Sequence, residues 1–190
     1  MSRQKLYMAL VSLCGVAVFG MGVYHSAAIY LEAAARWDIV VYSAVMLVIL
    51  SLCHMLPIYI TADKTMEISF VPVVACLVTR GIHLTLVLYA LSSFLVFLVD
   101  PQTKKYYSPW TRSPQKELFN VSNVLIAIWF GGLAYNLIAP SAGSPVFTWN
   151  VVFGAVAFSF IAIFGNLVFF ILYFQLGDQP LTWENWMTAM

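Results

Sequence analysis

The chain has 190 residues, 62% of them hydrophobic and 9% charged, with a net charge of +1. An ordinary soluble domain carries roughly 25% charged residues, so this composition excludes a water-soluble fold, which could not cover itself with so few polar groups. The near-zero net charge gives no footing for a nucleic-acid partner, whose phosphates demand cations.

The charges fall mostly in short gaps between apolar runs, and a spanning helix needs about 20 mostly apolar residues. The expected fold class is therefore all-α, a polytopic membrane helix bundle. It has about six spans, a short third helix and one integral membrane domain over 1–190. The N-terminal Met-Ser-Arg-Gln-Lys precedes a run too long for a signal-peptide core and without a small-residue cleavage site, so Leu6–His25 reads as a retained first span. Ser26–Trp37, with Glu32 and Arg36 four residues apart, reads as a short interfacial helix or loop. Asp38–Ile60 is the second span, with Pro57 near its end, and Thr61–Glu67 is a polar gap.

The next run, Ile68–Val99, contains a single charge, Arg80. It is too long for one span and short for two. Arg80-Gly81 divides it into a short third helix and a fourth helix, Ile82–Val99, closed by Asp100-Pro101 because the residue before proline disfavours helix. Pro101–Lys116 is the longest polar segment, with Lys104, Lys105, Arg112 and Lys116. The fifth span is Glu117–Ala139. Ser141–Thr148 forms a chargeless turn, and Trp149–Leu176 is the sixth span, stopped by Gly177-Asp178-Gln179-Pro180. Leu181–Met190, with Trp183 and Trp186, suits a helix starting at the interface.

The positive-inside rule places Arg3, Lys5 and the 101–116 loop in the cytoplasm, and six spans then return the C-terminus to that side. The expected location is the bacterial plasma membrane, multi-pass, with both termini cytoplasmic.

No catalytic motif is present, and no enzyme activity or cofactor is expected. The acidic residues stand at span ends. Cys14, Cys53 and Cys76 lie inside apolar runs, odd in number and widely spaced, as buried small hydrophobes do. Neither they nor the separated His25, His54 and His83 have metal-ligand spacing. His25 ends a span, and His54, three residues before Pro57, is placed to satisfy a carbonyl freed by the proline.

Two polar pairs are candidate ligand-binding residues. Arg80 and His83, three apart beside a glycine, would suit an anion or carboxylate; the competing reading makes Arg80 a turn marker that snorkels to water. Asn120 and Asn123 share a face of the fifth span, lining a pocket or bonding a neighbouring helix; Tyr135 and Asn136 would do similar work near its far end. Small residues at Gly15, Gly20 and Gly22, at Ala127, Gly131 and Gly132, and at Gly154 and Gly165 mark where helices would pack closely.

Several of these segments together resemble a known arrangement. Leu56-Pro57, Glu67-Ile68-Ser69-Phe70, the short apolar helix ending at Gly81, and Leu118-Phe119-Asn120-Val121-Ser122-Asn123 resemble bacterial multi-span sensor regions. Those regions stand N-terminal to HD-GYP, other HD-type or GGDEF output domains. The resemblance covers about residues 38–183; Gly81-Ile82 stands where those regions usually carry Gly-Pro. It implies a membrane-embedded sensory or anchoring domain that passes a signal to cytoplasmic output machinery, and a chain that either continues past Met190 or is a free-standing relative.

A second, looser similarity is to the substrate-binding S components of energy-coupling-factor vitamin transporters, similar in length and span number. Their first span carries an Ala-x-x-x-Ala docking pattern that Leu6–His25 lacks. That resemblance implies a small vitamin-type ligand and a coupling subunit as partners. A purely structural membrane subunit is the third reading, and a homodimer is open under all three.

Overall fold

The computed structural model of the protein describes residues 2–32, 37–55, 58–61, 64–66, 69–99, 106–109, 113–139 and 148–177. Among the described residues there are six helices: α1 (Arg3–Glu32), α2 (Trp37–Met55), α3 (Phe70–Arg80), α4 (Ile82–Phe94), α5 (Pro114–Ile138) and α6 (Trp149–Leu176). Two short antiparallel pairs lie in the connections. One joins β1 (Ile58–Thr61) to β2 (Lys64–Met66), and the other joins β3 (Leu98–Val99) to β4 (Tyr106–Tyr107).

The all-α bundle with a short third helix is as the sequence indicates. Helices α1, α2, α5 and α6 are long and apolar enough to cross a membrane. At 1.5 Å per residue, α3 and α4 reach only about 16 and about 20 Å against a hydrocarbon core of about 30 Å.

Element ends differ from the sequence reading for local reasons. Ser26–Glu32 is not a separate interfacial element but continues α1: Ala27, Ala28 and Leu31 are strong helix formers, and no Gly or Pro interrupts them. The Tyr30 hydroxyl bonds the Ser43 hydroxyl and ties this extension to α2.

Helix α2 stops at Met55 rather than Ile60, because Ile58–Thr61, rich in β-branched and aromatic residues, pairs as a strand. Helix α4 stops at Phe94 rather than Val99. Near its end the Ser92 and Ser93 hydroxyls donate to the Tyr89 carbonyl at 2.8 and 2.9 Å, the side-chain competition that weakens helices. The Leu95 amide then closes a tight last turn on Ser92 O at 3.0 Å.

Helix α5 begins three residues early, at Pro114. Proline is favoured in a first turn, where its missing amide costs nothing, and Ser113 O accepts from the Lys116 and Glu117 amides. Lys116 therefore belongs to α5. The expectations for Arg36, Pro57, Lys104, Lys105, Arg112, 141–147 and 178–190 lie outside the described residues.

Pairwise contacts set the helix directions. Tyr7 meets Phe119 and Ser122 donates to Ser12 O, so α1 runs parallel to α5. Gly131 faces Phe158 and Gly154 faces Tyr135, so α6 runs antiparallel to α5. Near the N-terminus Gln4 Nε2 donates to Tyr173 O and the Tyr7 hydroxyl to Phe169 O. The starts of α1 and α5 and the end of α6 thus share one end of the bundle, which we term the basic end because it carries Arg3, Lys5 and Lys116. Asp38, Arg80 and Gly81 lie at the far end.

Helix α5 is central and the most buried of the four long helices, whereas α6 is the least. Glycines let the backbones approach: an added Cβ would stand 2.2 Å from Ser122 Cβ at Gly15, 2.8 Å from the Phe158 ring at Gly131 and 2.9 Å from the Tyr135 ring at Gly154. Gly20, by contrast, faces open space. Outward, α6 presents Phe153, Val156, Phe160, Ile163 and Phe164, and α1 presents Leu6, Leu10 and Leu13. Such a continuous apolar exterior is what lipid, not water, solvates.

Candidate functional site

The candidate site is built on the α3–α4 junction. Gly81 has φ 82° and ψ 177°, a region open essentially to glycine alone. That single residue ends one helix and begins the next. Its amide donates to Leu77 O at 2.9 Å and its carbonyl accepts the Thr85 hydroxyl at 2.8 Å. Arg80 therefore ends α3, while His83 stands in the first turn of α4.

From there the two side chains diverge. Arg80 turns to α2: Nη2 lies 3.5 Å from Asp38 Oδ2, and the guanidinium carbon sits 4.9 Å from the centre of the Tyr42 ring. The Thr79 hydroxyl donates to Ala75 O at 2.7 Å, which leaves it to accept from the Tyr42 hydroxyl at 2.5 Å. Arg80 is thus a turn residue whose charge is matched by an α2 carboxylate.

His83 turns the other way. Its ring stacks on His25 of α1, with centroids 4.3 Å apart and planes 27° apart, and lies 5.9 Å from the Trp129 ring of α5. Tyr24 packs edge-on against His25. One turn earlier on α1, a Cβ at Gly22 would approach His83 O and Leu86 Cβ at 3.3 Å, so a bare glycine lets the α4 backbone come close enough for the imidazoles to meet. His83 Nδ1 is buried and has no hydrogen-bond partner among the described residues. In neutral imidazole one nitrogen donates and the other accepts, so this atom can take one directional bond from a ligand.

The asparagine pair lies elsewhere. Asn123 is fully buried and its Nδ2 donates to Asn166 Oδ1 of α6 at 2.7 Å, while its own Oδ1 has no hydrogen-bond partner among the described residues. Asn120 is half-buried one turn earlier. Asn123 and Asn120 precede Trp129 by about 9 and about 14 Å along α5. The four residues singled out in the sequence therefore do not converge: His83 and Arg80 serve different helix pairs at the far end, and Asn123 bridges α5 and α6 nearer the basic end.

Sequence reasoning passed over His25, Trp129 and Asn166. His25 looked like a lone histidine at a span end, yet it is the closest ring partner of His83. Asn166 carried a usable signal as an amide inside the 28-residue, charge-free α6. Tyr135 is fully buried against Gly154, whereas Asn136 faces outward. His54 packs edge-on to Tyr89 at 5.3 Å. Among the described residues no three of His, Cys, Asp and Glu gather as a metal ion would require. The chain matches no protein-family model, no curated protein and no solved structure.

Proposed function

We propose that the protein is a membrane-embedded sensory domain of a bacterial plasma membrane, which binds a small ligand at the His25–His83 stack and passes its occupancy to cytoplasmic output machinery. The observation that carries this reading is the buried, unpartnered His83 Nδ1 beside a second imidazole and an indole. A buried polar atom without a partner costs free energy, and a hydrogen-bonding ligand supplies what is missing. The flat rings of His25, His83 and Trp129 favour a planar group. Arg80, engaged by Asp38, contributes its field more than a direct contact.

The charge distribution supports the orientation. Arg3, Lys5 and Lys116 gather at one end, which the positive-inside rule assigns to the cytoplasm, and the histidine stack then lies toward the outside. A ligand there bears on the contact of α1 with α4 at Gly22. Helix α1 is a single rod whose other end is hydrogen-bonded to the end of α6 through Gln4 and Tyr7. A shift of α1 thereby reaches the proposed cytoplasmic end, a displacement of the kind that packed helices transmit. The resemblance to sensor regions supports the same reading.

The test is mass spectrometry of small molecules released from protein purified in native-like nanodiscs, with a parallel measurement of cellular second messengers. His83→Ala and His25→Ala should each lower retention of the released molecule by up to about tenfold, the worth of one hydrogen bond, with thermal unfolding unchanged. Deletion of the chain should alter second-messenger levels. Co-purification of a coupling-factor ATPase, with vitamin uptake lost on deletion, would replace this reading with the transporter one.

A further inference from the structure

Helices α1 and α4 touch at Gly22 and Leu86, and toward the basic end they line a space together with α5. The space between them is a groove of about 140 Å³, walled by Val16 and Phe19 of α1, Ala90 and Phe94 of α4, and Leu118 and Leu125 of α5. Its rim residues Val16, Leu91 and Leu118 are exposed, so the groove opens sideways into the bilayer.

Water does not suit this space. A buried water needs two to four polar partners, and of the lining side chains only Ser122 is polar; its hydroxyl is already committed to Ser12 O. Left empty, the walls would forfeit their dispersion contacts. The occupant is therefore hydrocarbon, and the bilayer supplies it as acyl chain.

The choice of headgroup follows from α1. Lys5 precedes Val16 by 11 residues, three turns, and so stands on the same face of the helix directly toward the basic end. It is exposed, and the described residues of that end carry Arg3, Lys5 and Lys116 against the single carboxylate of Glu117.

We infer that the groove between α1, α4 and α5 is a binding site for one anionic phospholipid, its acyl chain seated against Val16, Phe19 and Ala90 and its headgroup on Lys5. This site is independent of the sensory reading and would hold for a transporter or a structural subunit equally. Selectivity arises from Lys5, since a lipid tail gains nothing by leaving other lipid tails; one cation near an anionic surface is worth about a fivefold preference.

The test is native mass spectrometry of the full chain released from nanodiscs of equal phosphatidylglycerol and phosphatidylcholine. Wild-type protein should retain one lipid, enriched about fivefold in phosphatidylglycerol. Lys5→Gln should keep the lipid and lose the enrichment. Val16→Trp, which fills the groove from an exposed position, should lose the retained lipid whatever its headgroup, and Leu13→Trp, on the outward side of α1, should keep it. If Val16→Trp fails to fold, Leu91→Phe takes its place. Retention unchanged in the filled variant, or enrichment unchanged in Lys5→Gln, would overturn the site.

Discussion

Gly15→Ala is the sharpest probe of how α1 is held on α5. An ideal Cβ at Gly15 would stand 2.2 Å from Ser122 Cβ and 2.5 Å from Ser122 Cα. Carbon atoms in contact rest about 3.5–4.0 Å apart, so the added methyl overlaps by more than 1 Å. The nearest atoms include backbone, which no rotamer change moves away. Helix α1 must therefore lift off α5, lengthening the Ser122-to-Ser12 hydrogen bond from its 3.4 Å beyond useful range.

Overpacking of this kind costs about 1–3 kcal/mol, a loss of roughly 5- to 160-fold in the folded-to-unfolded ratio. Gly20→Ala is the internal control. It sits on the same helix, faces open space, and should be neutral or slightly stabilising, since alanine is the better helix former. The assay is reversible unfolding in mixed micelles followed by circular dichroism. Ser122→Gly combined with Gly15→Ala should recover part of the loss, the coupling expected of residues in contact. Equal stability of Gly15→Ala and Gly20→Ala would refute the close α1–α5 approach.

Three further outcomes are expected. Gly81→Ala should destabilise the bundle by about 1–3 kcal/mol, because its backbone lies in a glycine-only region; the same unfolding assay checks this, and an unchanged midpoint would mean that the junction relaxes freely. Asn123→Ala should cost about 0.6 kcal/mol, up to about 1.7, the range for interhelical hydrogen bonds in membranes, while Asn123→Leu with Asn166→Leu should fall close to wild type; a double variant worse than the single one would count against the pair as an isolated bond. Asp38→Asn should change stability by less than about 1 kcal/mol, because the Arg80–Asp38 pair is partly exposed and screened, and high salt should shrink the difference further.

The positions of the helices were legible in the chain because the bilayer imposes a length. Trp149–Leu176 matches α6 end to end, and the break at Gly81 matches the one described glycine with positive φ. Ends set by finer chemistry were not legible: the serine-weakened end of α4, the proline start of α5 and the unbroken run of α1 through Glu32 each depend on a few local hydrogen bonds or propensities.

The partners of the polar residues were beyond the sequence for a deeper reason. In a soluble helix the apolar stripe announces which face turns inward. The four long helices are apolar on every side, since lipid outside and protein inside ask for the same side chains, so the chain carries little sign of which of their faces meet. Composition and spacing alone determined a helical bundle, the approximate place of each helix, and long apolar stretches fit for a membrane, of which four rather than six are long enough to cross one. Only the tertiary arrangement decided that His83 stacks on His25, that Arg80 turns away to Asp38, and that Asn123 finds Asn166. Those pairings depend on the rotation and depth of each helix, which are set by the glycines and the side chains they oppose.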